Sequence, residues 1–271
     1  MIMKSINDTL NKIRQNGKKA FVAYITAGDP NLNKTVELVE TISEAGADII
    51  ELGVPFSDPL ADGPTNQKAS ERALKQGCHL GGVLESVSKI RQKGIETPIV
   101  LFSYMNPLFR FGFGELSRRC REVGVNGLLP VDLTPESFLE EERHFKNALE
   151  KERIEPIFLM APTTKTSRWK LIEKETKGFI YYVSRTGTTG VSDKLSEGLL
   201  GKLKEVRKVV KKPLIVGFGL SKSEQVKTLA PYCDGIVVGS AIVREIETAK
   251  NFKEAKKNTH SLVTKLKESL I

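Results

Sequence analysis

The chain has 271 residues, of which 39% are hydrophobic and 28% charged. That is enough apolar material to build a core, which excludes a disordered polymer, and its apolar runs, such as 214–216 and 236–238, are far too short to span a bilayer. The net charge of +9 raises nucleic-acid binding, but the basic excess sits in 204–212 (KEVRKVVKK) and 250–267, where Val206, Val209 and Val210, or Leu262 and Leu266, recur at helical spacing. Amphipathic helices with solvated basic faces account for that pattern, and no aromatic residues interleave with the charges as a nucleic-acid surface requires.

In chain order, the opening MIMKSINDTLNKIRQNGKK has no apolar core and no small-residue cleavage site, so no signal peptide is expected. Its Ile6, Leu10 and Ile13 share one face of a short helix suited to docking on the domain. Short β-rich runs then follow at 20–26, 48–52, 98–103, 127–131, 155–160, 179–183, 213–216 and 235–238. Most are apolar on both faces, as buried parallel strands are. Helical patterns lie between them, for example 33–44, 113–123, 135–152 and 221–229, the last opening on a capping-box spacing of Ser221 and Glu224. Three cysteines, Cys78, Cys120 and Cys233, lie far apart, which fits buried thiols in a reducing, cytoplasmic compartment.

Eight strands alternating with helices, and no linker that would split the chain, predict a single (β/α)8 TIM barrel over 1–271 with extra N-terminal and C-terminal helices. A doubly wound sheet is the alternative, and it would be favoured by a glycine-rich dinucleotide turn after the first strand. The segment after Thr26 reads AGDPN, which is not one.

In a barrel the chemistry sits at the C-terminal ends of the strands, so the strand ends carry the functional signal. The second strand ends Ile49-Ile50-Glu51-Leu52-Gly53. With a period of two, turning Ile50 and Leu52 to the helices puts Glu51 inside, at the top. A buried carboxylate without a partner tends to hold its proton. No strand candidate carries a basic residue near its end except Arg185, just past the sixth, so Glu51 reads as a functional group rather than half of an ion pair. The loop that follows carries Asp58 and Asp62 among Pro55, Pro59 and Pro64, which stiffen it. Asp62, beside Gly63, is the better placed to turn toward the barrel mouth; Asp58 reads equally well as a solvated acid.

Strand seven runs into Gly217-Phe218-Gly219 and strand eight into Gly239-Ser240, directly before a helix. Loops after these two strands are the usual phosphate site of the barrel, where backbone N–H groups and a helix N-terminus face the anion. Strand six leads into Ser184-Arg185-Thr186-Gly187-Thr188-Thr189-Gly190, a polar stretch suited to a lid. The three histidines, His79, His144 and His260, lie away from the strand ends, so no metal site is expected. No lysine lies inside a strand, which argues against a Schiff base. Acid–base chemistry by carboxylates on a phosphorylated ligand remains, with Tyr24, Phe102, Tyr104 and Tyr181 as aromatic neighbours or plain barrel packing.

The stretches AYITAGDP, ELGVPFSDPLADGP, YYVSRTGTTG, VGFGLS and GSAIVREI, in this order, resemble the motifs of the tryptophan synthase α subunit family from about Tyr24 to Ile246. The resemblance implies a carbon–carbon lyase that cleaves indole-3-glycerol phosphate to indole and glyceraldehyde 3-phosphate. It implies no cofactor in this chain, and a β subunit carrying pyridoxal phosphate as partner, in an α2β2 heterotetramer. By the same resemblance Glu51 and Asp62 match the catalytic carboxylates. Thr189 and Gly190 match the mobile loop, and Gly217, Phe218, Gly219, Gly239 and Ser240 the phosphate site. Tyr24, Phe102, Leu129 and Tyr181 match the indole pocket, with Tyr104 beside it. Pro55, Asp58, Pro59, Asn106, Pro107, Leu108 and Phe109 correspond to segments that touch the β subunit. The chain departs from the family pattern at Pro130-Val131-Asp132, at Thr188 and at Phe102. Other phosphosugar barrels, a regulatory barrel without catalysis and a free-standing indole-releasing lyase are the competing readings.

Overall fold

A strand with helices on one side and a barrel lumen on the other is buried on both faces, so its residues run apolar without interruption. The computed structural model, which describes residues 4–183, 198–217 and 219–270, has such strands where the sequence predicts them. They are β1 (Ala20–Thr26), β2 (Ile49–Gly53), β3 (Ile99–Ser103), β4 (Gly127–Pro130), β5 (Glu155–Pro156), β6 (Leu159–Met160), β7 (Ile180–Val183), β8 (Leu214–Gly217) and β9 (Gly235–Val238). All pairings are parallel, in the order β5-β4-β3-β2-β1-β9-β8-β7-β6.

The two ends of that order are halves of one stretch, the single run predicted over 155–160. The sheet therefore closes on itself as the eight-stranded barrel of the TIM fold. Two bonds complete the closure: Ile157 N–H donates to Leu128 O at 3.0 Å on the β4 side, and Tyr181 N–H donates to Phe158 O at 3.1 Å on the β7 side. The run divides into two short strands because its first half pairs with β4 and its second with β7.

Alternation along the strands sorts side chains into two packed sets. Phe21, Ala23, Ile50, Leu52, Leu101 and Tyr182 pack outward under the helices. Val22, Tyr24, Ile49, Val100, Phe102 and Tyr181 fill the interior. Ile49 is inside and Ile50 and Leu52 outside, so the parity argument for an inward Glu51 holds.

The floor of the barrel is closed by the helix Ile6–Gln15, started by the Ser5 hydroxyl, which accepts Asp8 N–H at 2.9 Å. Ile6 and Leu10 are buried in the interior set and Ile13 packs against it. The helix is pinned by Glu155, whose Oε1 accepts Ile6 N–H at 2.9 Å and whose Oε2 accepts Asn7 Nδ2 at 3.1 Å. At the other end of the chain the helix Phe252–Glu268 packs on Ser240–Thr248 and on Leu32–Glu44. No described helix is long and apolar enough to cross a membrane.

Two local predictions are corrected. The helix predicted over 135–152 is two helices, Pro135–Leu139 and Arg143–Glu152, because the chain turns at 140–142, where Glu142 N–H bonds back to Ser137 O at 2.8 Å. The Ser221–Glu224 capping box does not form. The helix starts at Ser223, and Gln225 Oε1 accepts the N–H groups of Ser221 and Lys222 at 2.9 and 3.0 Å.

Candidate active site

Glu51 is the penultimate inward position of β2, in register with Tyr24 of β1 and Val100 of β3. It is fully buried, and among the described residues neither carboxylate oxygen has a hydrogen-bond partner. With nothing to stabilise the charge, burial pushes its carboxyl up to about 8, so the group is protonated at neutral pH. Among the described residues no cation pairs with it.

Asp62 lies in the loop after β2, one residue before Gly63, which caps the helix Pro64–Lys75. Pro64 opens that helix, where its missing N–H costs nothing. Asp62 is 5% exposed and held from two sides. The Tyr104 hydroxyl donates to Oδ2 at 2.9 Å, and Asn66 Nδ2 donates to Oδ1 at 3.4 Å. Burial raises its pKa, and the bonds from Tyr104 and Asn66 oppose that rise. The same Tyr104 hydroxyl accepts Ala61 N–H at 2.9 Å, so one phenol fixes both the loop backbone and the carboxylate.

Between these carboxylates and the glycine-rich ends of β8 and β9 runs a narrow cleft. Its aromatic side is Tyr24, Phe102 and Tyr181; its other lining residues are Asn66, Val237, Gly219, Gly239 and Ser240. Tyr24 and Phe102 meet edge-on with centroids 5.3 Å apart. Both Tyr24 and Tyr181 have pKa values raised by burial first, with further contributions from the charges of Asp62 and Glu51, so the two phenols and the two carboxylates form one electrostatic group. A side chain at Gly53 would strike the Tyr24 hydroxyl, and one at Gly217 the Tyr181 hydroxyl. These glycines leave room for the aromatic wall.

The anion end is built from backbone. Gly219 has φ +77°, a conformation that favours glycine. Gly239 precedes the helix Ser240–Thr248, which has no side-chain cap, and so its first-turn N–H groups are available to an anion.

The structure thus brings Glu51, Asp62, Tyr24, Phe102, Tyr181, Gly217, Gly219, Gly239 and Ser240 together at one mouth. Leu129 is fully buried in the barrel interior beside Phe102, its register partner on β3. Tyr104 reaches the site through Asp62. Thr189, Gly190, Arg185 and Phe218 lie outside the described residues.

Of the segments assigned to partner contact, Asp58, Asn106 and Phe109 are exposed and Pro59 and Pro107 partly so, whereas Pro55 and Leu108 are buried within this chain. Those two side chains pack inside this chain, and the outer face of each segment is formed by their neighbours. The exposed apolar surface there is instead Phe109 and Leu60, 64% and 86% exposed. Phe56, in the same loop, packs on Tyr104 at 5.2 Å between centroids, which links that surface to the residue holding Asp62.

Sequence reasoning missed Asn66 and Val237. Asn66 has a readable signal in hindsight, an amide four residues past Asp62 in the first turn of the next helix; Val237 is indistinguishable from any other strand residue.

Comparison with known proteins agrees with this geometry. A family profile described as "Tryptophan synthase alpha chain" matches residues 10–270. The tryptophan synthase alpha chain of Geobacter sp. (strain M21) is 44% identical over 245 residues, 90% of each chain. That of Geotalea daltonii is 42% identical over 268 residues, 99% of each. The crystal structure of tryptophan synthase subunit alpha from Legionella pneumophila superposes with a TM-score of 0.89 at 34% identity, covering 99% of both chains. A barrel with this mouth, matched over nearly its whole length by these relatives, belongs to the tryptophan synthase alpha chain family.

Proposed function

We propose that the barrel mouth cleaves indole-3-glycerol phosphate to indole and glyceraldehyde 3-phosphate, with Glu51 as acid and base and Asp62 as the second carboxylate. The observation that carries the reading is Glu51 itself: fully buried, without a hydrogen-bond partner among the described residues, and protonated at neutral pH beside a tyrosine-lined cleft. A group in that state is poised to give a proton. Glu51 donates to indole C3, and Asp62 accepts a hydrogen bond from the ring N–H as the ring takes positive charge. The C3–C1′ bond then breaks, its electron pair returning to the ring and restoring aromaticity. The C1′ hydroxyl becomes the aldehyde as its proton passes to the ionised Glu51, so the carboxyl ends as it began.

The ring occupies the Tyr24, Phe102, Leu129 and Tyr181 wall, and the phosphate takes the backbone donors of Gly217, Gly219, Gly239 and Ser240. Thr189, Gly190 and Phe218 belong to this proposal as the lid and the third phosphate-loop residue. Because the ring itself is the electron sink, the step needs no cofactor in this chain.

The partner in this reading is a pyridoxal-phosphate-bearing β subunit in an α2β2 heterotetramer in the cytoplasm. It would be met on the Asp58, Pro59, Asn106, Pro107 and Phe109 surface, and it would receive the indole. The test is indole release from indole-3-glycerol phosphate by the purified chain, alone and with a β subunit. Weak release that rises with the partner supports the two-subunit synthase. Strong release indifferent to the partner points to a free-standing lyase, and no release in either case overturns the reading.

A further inference from the structure

Asn66 has no part in the reaction as just written, yet it is a buried polar group in the lining of the cleft. It is 5% exposed, and its Nδ2 donates to Asp62 Oδ1 at 3.4 Å. Its Oδ1 is buried without a hydrogen-bond partner among the described residues. The orientation of the amide follows from chemistry: turning it over would set its oxygen against the Asp62 carboxylate, acceptor against acceptor. A buried carbonyl left without a donor is unfavourable, and native structures keep few of them. The neighbouring hydroxyls do not satisfy it: Tyr104 is spent on Asp62 and Ala61, and Tyr24 is beside Thr26. The residue lines the same cleft as Tyr24, Phe102, Tyr181 and Ser240, so the missing donor can come from a bound molecule.

We propose that Asn66 is a substrate-positioning residue: its Oδ1 accepts a hydrogen bond from an N–H or O–H donor of the bound substrate while its Nδ2 sets the orientation of Asp62. The inference rests on the lyase reading above and assigns that substrate a further polar contact. The substrate offers two kinds of donor, the ring N–H and the hydroxyls of the glycerol chain. A site built to accept such a donor rejects analogues that lack it, because its own acceptor is then stranded.

The test compares the wild-type chain with Asn66→Leu, which keeps the volume and removes both polar atoms, and with Asn66→Ala should the leucine variant not fold. The expected result has two parts. First, kcat/KM for indole-3-glycerol phosphate falls by at least tenfold, while affinity for inorganic phosphate is kept. Second, the acid limb of the pH profile moves to higher pH. That direction follows because the Asn66 bond favours ionised Asp62, and its loss lets burial raise the Asp62 pKa further. Among the described residues the other groups facing Asp62 are Tyr104, Tyr24 and Tyr181, with Glu51 acting on the same two cleft tyrosines, and none of these is a cation.

A 3-(indol-3-yl)propyl phosphate, which keeps the ring N–H and lacks the chain hydroxyls, separates the donors. Weakened binding of this analogue to the variant assigns the ring N–H, and unchanged binding beside a lost kcat/KM assigns a chain hydroxyl. A loss under threefold, or an acid limb that stays where it was, overturns the proposal. No indole release from the wild-type chain overturns the lyase reading instead, so the two failures are distinct.

Discussion

Two glutamates mark the two ends of this barrel. Glu51 at the mouth is fully buried and Glu155 at the floor half-buried, and burial is the first cause of the raised pKa of each, to about 8 and about 7. Glu155 accepts two hydrogen bonds from the N-terminal helix and so serves as its anchor. Glu51 accepts none. The two carboxyls differ in partners as well as in depth of burial. A group whose hydrogen bonds are filled by its own chain is committed, and one left open at a cleft can move a proton.

That contrast is open to breakage at several points. The largest expected effect is Glu51→Gln, which removes the proton donor. Turnover should fall by ~10²–10⁴-fold with phosphate-ligand affinity retained, and a variant keeping more than a tenth of the rate removes Glu51 from the role. Asp62→Asn comes next, expected to lower turnover on the order of 10²-fold; a neutral result would leave Asp62 as the loop's anchor point for Tyr104 alone.

The third effect is on stability. Both glutamates bind their protons more tightly in the folded chain than in the unfolded one. Their contribution is therefore complete below pH about 4.5 and is lost as pH rises, through about 7 for Glu155 and about 8 for Glu51. Urea unfolding at pH 5.5 and at pH 8.5 should show the wild-type chain losing stability relative to Glu51→Gln, on the order of a few kcal/mol. Parallel curves would show that the Glu51 carboxyl is not raised. Turnover should decline over the same alkaline range as Glu51 loses its proton. The smallest effect is expected at the floor. Glu155→Gln should cost about 1 kcal/mol of stability and leave indole release within threefold of wild type, measured by denaturation and by the release assay. A collapse of turnover there would mean that the two ends are coupled.

The strands were legible because a parallel barrel strand is apolar on both faces, and β1 and β9 match their predicted limits without change. The inward parity of Glu51 was legible for the same reason, from Ile50 and Leu52 on the opposite face. Breaks within elements were less so. The division of 155–160 depends on which neighbour each half pairs with, which the run itself does not show. The division of 135–152 depends on a turn that leaves no mark in the apolar period. At the site, Glu51 and Asp62 stood out as charges next to a buried strand and in a stiffened loop. Asn66 did not, since an amide in the first turn of a helix is ordinary until its neighbours are known.

By itself the sequence determined the order of strands and helices, the inward carboxylate, the glycine-rich ends of strands seven and eight, and the family to which the chain belongs. These are local properties, written in spacing and residue type. Only the tertiary structure decided that Tyr104 holds Asp62, that Tyr24 and Tyr181 share the field of both carboxylates, that Pro55 and Leu108 are buried while Leu60 is exposed, and that Asn66 keeps an unfilled acceptor in the cleft. Each of these is a contact between residues distant in the chain or a balance of burial against partners, and barrel closure is what brings such residues within a hydrogen bond of one another.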